Sequence, residues 1–137
     1  MTASEVIELA LTRTINAGNI KQSDIDLSYD SYVVKYLSGT IDPSDTFYTN
    51  YVKPVIAHGV IVDIWDRIAI EVTDRGQQLL TAQGVQQNET ARVEALKSYS
   101  IKLNKLINLM LDNVPTGVTV IGETWGEVMT AETELTL

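Results

Sequence analysis

Three carboxylates, Asp63, Asp66 and Glu71, and a single histidine, His58, are the residues of this 137-residue chain whose types and spacing invite chemistry. Carboxylates three residues apart share one face of a helix, where they can hold magnesium or divide acid and base roles. Arg67, four residues after Asp63 and adjacent to Asp66, turns that arrangement into a solvated ion-pair face. No Glu-x-x-His pair accompanies them, so a di-iron site is not indicated. His58 stands beside Gly59 in the most apolar part of the chain. The chain has no cysteine, one imidazole does not make a zinc site, and His58 reads as a packed or rim residue. Without cysteine there are no disulfides and no thiolate nucleophiles. A Gly-x-Ser-x-Gly elbow, a P-loop and a Gly-x-Gly-x-x-Gly turn are also missing. The expectation is a protein that is not an enzyme, with no catalytic residue, no metal and no cofactor.

Charge narrows the partners. The formal net charge is −8, and residues 113–137 hold four glutamates and no basic side chain. An acidic surface repels phosphate backbones, so sequence-independent nucleic-acid binding is not expected. A helix-turn-helix reading fails for the same reason: the second helix would present Asp24, Asp26 and Asp30 against Lys35 alone. No basic segment followed by an apolar one opens the chain, and no run of about 18 uncharged apolar residues occurs, so neither an export signal nor a membrane span is expected. A hydrophobic fraction of 45% is ordinary for a folded domain of this length, with cytosol as the favoured compartment.

The elements that would position these residues are helical. Thr2 and Glu5 stand at capping-box spacing before Val6, Ile7, Leu9, Ala10, Leu11 and Ile15, which predicts a short amphipathic helix. Ser23, with Asp24 and Asp26 behind it, announces a second helix carrying Tyr29, Tyr32 and Tyr36 on one face and ending at Gly39. A third helix is expected from Asp42, Pro43 and Ser44 through Val72, apolar on several faces and kinked at Pro54. From Thr73 to about Gln87 the pattern dissolves into two glycines and five glutamines, which predicts a long polar loop. A fourth helix follows from about Asn88, packs along the third and ends at Pro115 and Gly117. The fold class is therefore all-α, about four helices with two long packed ones, in a domain over residues 1–115. Residues 116–137, with Val118, Val120, Ile121, Trp125, Val128 and Met129 among threonines and glutamates, form an extended arm that orders against a partner.

The order of these segments resembles the head-to-tail connector proteins of tailed bacteriophages, and most closely the neck ring proteins of crAss-like and related Bacteroidetes phages. The likeness rests on the helical start, on Tyr51-Val52-Lys53-Pro54 opening the apolar helix and on the exit Thr73-Asp74-Arg75-Gly76. Val85-Gln86-Gln87-Asn88 and the last long helix complete it. It covers residues 1–114, and the segment 117–137 matches least. The resemblance implies a structural subunit of the virion neck, assembled in the host cytoplasm as a homo-oligomeric ring, commonly a dodecamer. Such a ring joins the portal protein to adjacent neck or tail proteins and lets genomic DNA pass without specific binding. It also implies that the loop and the arm touch neighbouring subunits. The candidate contacts are then Asp74, Arg75, Gly76, Gln77, Gln78, Leu79 and Leu80, with Gly84, Val85 and Gln86 after them. On the arm they are Val120, Ile121, Trp125 and Met129. A small helical adaptor that binds another protein through its acidic tail is the alternative, and a metal-dependent hydrolase built on Asp63, Asp66 and Glu71 is a more distant one.

Overall fold

A computed structural model describes the backbone of residues 1–11, 15–73 and 82–121, and the side chains of residues 1–11, 15–69 and 90–121. Within them the chain is mostly helical, with five α-helices and one two-stranded ribbon. The first helix, α1 (Ala3–Ala10), starts as its sequence predicts. The Thr2 hydroxyl accepts from the Glu5 amide, and the Glu5 carboxylate accepts from the Thr2 amide. It stops at Leu11, four residues before the expected Ile15, because Leu11 adopts an extended conformation. A 3₁₀ turn over Ala17–Asn19 leads to α2 (Gln22–Tyr29). Lys21 stands at the cap rather than Ser23, and the Asp24 carboxylate reaches back to the Lys21 amide at 2.9 Å. A wider π-helical turn continues α2 from Asp30 to Val34.

The third helix differs from its expectation in two ways. Asp42, Pro43 and Ser44 form a turn, in which Asp42 accepts from the amide and hydroxyl of Ser44, and helical structure begins only at Thr46. Pro54 does not break the helix. It has no N–H to give, and the backbone absorbs the lost hydrogen bond in a π-helical turn over Tyr48–Val52, where the Lys53 amide donates to the Tyr48 carbonyl. The following α3 (Lys53–Asp63) is regular. A break that the spacing did not indicate falls at Ile64, which leaves the helical region, and α4 (Trp65–Thr73) restarts beyond it. Every residue from Val55 to Ile61 is buried, whereas α4 turns Asp66 and Arg67 outward and Trp65, Ile68 and Ala69 inward. The break re-aims the apolar stripe at the point where a helix wrapped on all sides becomes an amphipathic one.

The last helix corrects the polar loop. α5 (Ala82–Leu111) runs for 30 residues, about 45 Å at the α-helical rise, and takes in Gly84, Val85, Gln86 and Gln87. What separates α4 from α5 is therefore residues 74–81 rather than a loop reaching to Gln87; Asp74, Arg75, Gly76, Gln77, Gln78, Leu79 and Leu80 lie outside the described residues. After α5, the Val118 amide bonds the Pro115 carbonyl and the Val118 side chain enters the core. The strands β1 (Leu37–Ser38) and β2 (Thr119–Val120) pair antiparallel, with Leu37 opposite Val120 and Ser38 opposite Thr119. Gly39, expected as a helix stop, instead follows β1 at φ 114°, and a Cβ there would strike the Gly117 carbonyl. The chain thus stays with the helical domain past Pro115, at least to Ile121, whose amide donates to the Tyr36 carbonyl at 2.8 Å.

α1, α2 and α5 all pack on α3, and α4 packs on α5. Gly59 sets the approach of α2: a Cβ on it would fall on the Ser28 hydroxyl oxygen and 2.5 Å from the Tyr32 ring. Ser28, fully buried, donates to the Ile56 carbonyl at 2.9 Å, one turn earlier on the same side of α3. Gly59→Ala is expected to lose about 1–3 kcal/mol of unfolding free energy from overpacking, although alanine is the better helix former. Urea denaturation followed by circular dichroism measures it, and a stabilised variant would contradict the close packing.

Candidate functional site

Of the carboxylates singled out in the sequence, Asp63 and Asp66 are described, and they have different surroundings. Asp63 accepts a 2.6 Å hydrogen bond from the Tyr32 hydroxyl on the π-helical turn after α2. Burial raises the Asp63 pKa above its ordinary value, against the opposing effect of that bond. Burial and the same contact push the Tyr32 hydroxyl far up, so it remains a donor at any physiological pH. Arg67 does not pair with Asp63 or Asp66. It reaches across to the start of α2, donating to the Asp24 carboxylate at 2.8 Å and to the Asn19 carbonyl at 3.0 Å. Burial opposes ionisation of Asp24, yet the Lys21 amide and Arg67 outweigh it and hold the carboxyl below its usual range. The expected ion-pair face is therefore a tertiary clasp between α4 and α2. The Glu71 side chain lies outside the described residues. Among the described residues no group of three or more histidine, aspartate or glutamate side chains is placed to hold a metal ion.

His58 is 2% exposed in the core, and its ring lies 6.5 Å from that of Tyr99 on α5. Its Nδ1 is 2.8 Å from the Pro54 carbonyl, an acceptor only, so Nδ1 carries the proton. Nε2 has no hydrogen-bond partner among the described residues. Burial is the main cause that lowers its pKa, with Lys102 adding to it and the Pro54 bond opposing it. The imidazole is a neutral packing group that also ties down the carbonyl of the proline turn.

What the surface offers instead is two unlike faces. Beside α2 opens a cavity of about 370 Å³, walled by Asp26 and Asp30, by Tyr29 and Tyr48, and by the apolar Ile25, Ile41 and Ile56. No lysine or arginine among the described residues lines it. On the same outer side of α2 and its π-helical continuation, Leu27 and Val34 are 59% and 46% exposed. The second face lies on α5. Val93, Lys97, Ile101, Lys105 and Leu109 follow one another at intervals of four, one ridge along the helix. Val93 is 62% and Leu109 48% exposed, Lys97 and Lys105 are exposed, and Ile101 is half-buried. Lys102 stands beside them over a shallow groove. Neither face belongs to the residues named from the sequence, although both have a signal at helical spacing: Asp26 and Asp30 four apart, and a ridge in which lysines alternate with apolar residues.

Of the residues first named as contacts, Val120 and Ile121 are exposed on and just after β2, close to Tyr36. Gly84, Val85 and Gln86 belong to the first turns of α5. Trp125 and Met129 lie outside the described residues. No protein-family model matches the chain, and no curated protein or solved structure matches it. No helix among the described residues is long and apolar enough to cross a membrane.

Two outcomes follow from these contacts. The folded state favours neutral His58, so the unfolded chain takes up the proton first as pH falls. The resulting stabilisation is complete above about pH 6.5 and is lost progressively below it, as pH falls through the lowered pKa of the folded state. Denaturation between pH 7.5 and 5 is expected to show this slope, reduced in His58→Gln; an unchanged slope would clear His58 of the effect. Asp24→Ala is expected to lower stability by about 1–2 kcal/mol, since it removes a first-turn carboxylate and the Arg67 partner, while Asp66→Ala stays within about 0.5 kcal/mol. Equal losses would contradict the clasp.

Proposed function

We propose that this chain is a non-catalytic structural subunit of a tailed-phage virion neck, which assembles as a homo-oligomeric ring, a dodecamer by its resemblance, between the portal protein and the next neck or tail component. The order of sequence segments suggests the family. The observation that carries the reading is the pair of unlike exposed faces, one acidic beside a cavity on α2 and one lysine-bearing on α5. A ring subunit needs two different surfaces, because a head-to-tail contact joins one patch to another and repeats until the rotation closes. The net charge of −8 suits a channel through which DNA slides, as like charge suppresses phosphate contacts. Residues 122–137, with Trp125 and Met129 among four glutamates, act in this reading as an arm that reaches a stacked partner in the virion neck.

Mass photometry and electron microscopy of the purified protein, alone and with its portal, test the proposal. Rings of uniform size are expected, and a monomer that stays single in both settings overturns it in favour of an adaptor. The arm has its own test. A chain ending at Ile121 keeps Val118 and β2, and it is expected to retain its helical circular dichroism while losing attachment to the portal or tail component. Loss of the helices on that truncation would make residues 122–137 part of the domain.

A further inference from the structure

We infer that the two faces are the two halves of one contact between copies of this chain: the Lys97 and Lys105 ridge of α5 docks on the outer side of α2 in the neighbouring copy, with a lysine entering the cavity beside Asp26 and Asp30. This inference rests on the ring reading above and names its interface. Three observations support a second copy as the occupant.

The first is chemistry. The cavity combines Asp26, which accepts from Gln22 at 3.1 Å, and Asp30 with the Tyr29 ring, with the Tyr48 ring that Lys53 already approaches at 5.9 Å, and with apolar walls that include Met1. That is the lining suited to a lysine, whose alkyl stem packs on apolar surface while its ammonium meets carboxylates and ring faces. Lys97, Lys102 and Lys105 are all exposed, and no carboxylate pairs with any of them among the described residues. The second is pattern. Exposed Leu27 and Val34 flank Asp30 on one side, and exposed Val93 and Leu109 bracket the lysines on the other, so each ridge alternates charge with apolar area of a kind that packs when water is excluded. The third is direction. α2 meets α3 at Ile56, Gly59 and Asp63, while α5 meets it at His58, one residue or about 100° around the helix from Gly59. The two helices that carry the ridges therefore cover different sides of α3. A chain with complementary patches on different sides joins its copies head to tail.

Charge exchange tests this contact in the full-length protein. Lys97→Glu with Lys105→Glu makes both faces acidic, and Asp26→Lys with Asp30→Lys makes both basic. All four side chains lie at the surface or the cavity wall, and unchanged circular dichroism verifies folding. Each double variant alone is expected to weaken self-association by roughly tenfold or more, and an equimolar mixture of the two is expected to restore it, because every contact in the mixture can again join opposite charges. The restored assembly should weaken as salt rises. Rings that form in either variant as in the wild type would overturn the contact and leave the ring reading intact. Copies that only pair, yet obey the charge exchange, would keep the contact and overturn the ring. Assembly that ignores the exchange but is lost on deleting residues 122–137 would place the contact on that segment instead, and so overturn the inference.

Discussion

Seven consecutive residues of α3, Val55 to Ile61, are buried, and the arrangement of everything around them follows from that burial. A helix apolar on every side is stable in water only when other elements cover its whole circumference. α1 covers one side, held by the Lys53 and Glu5 ion pair at 2.7 Å. α2 covers another, and Gly59 lets it approach closely. α5 covers a third with Tyr99, Leu103, Ile107 and Met110. The single histidine fits into this wrapping as a neutral imidazole, whose Nδ1–H donates to the Pro54 carbonyl.

Polar groups next to such a core must find partners, and here they find them across the fold. Ser28 binds the Ile56 carbonyl, Tyr32 binds Asp63, and Arg67 binds Asp24. Each of the three joins α2 or its continuation to α3 or α4, so the side chains that resemble catalytic equipment are occupied in holding two layers together. A carboxylate whose oxygen accepts a tyrosine hydroxyl and an arginine spent on a distant aspartate are poor candidates for acid–base work. The outer faces of α2 and α5 are where charge and apolar area remain exposed among the described residues.

Some of this was legible in the sequence. The capping box at Thr2 and Glu5 is local, its partners are three residues apart, and it forms as read. The helical class follows from apolar spacing, and the centrality of α3 follows from the density of Val and Ile around His58. Those signals are short-range or compositional, so no tertiary knowledge is needed. Gly84 and two runs of glutamine, by contrast, gave local grounds for a loop. α5 takes in Gly84 and the second run, Gln86-Gln87, which shows propagation from the packed Ser100 to Met110 region overriding the weak propensity of glycine, since an established helix extends at little cost per residue.

Tertiary structure alone decided the rest. Pro54 and Ile64 both sit in one apolar run, and which of them interrupts the helix depends on where the covering helices end, which spacing does not record. Arg67 chose Asp24 over its neighbours in sequence because α4 is turned toward the start of α2. β2 exists only because Gly39 and Gly117 bring two distant segments within hydrogen-bonding reach. The sequence by itself determined a helical chain, with a central helix that must be wrapped and an inventory without cysteine. It left open which carboxylates would be bound across the fold and which would remain exposed, because that depends on packing between segments far apart in the chain.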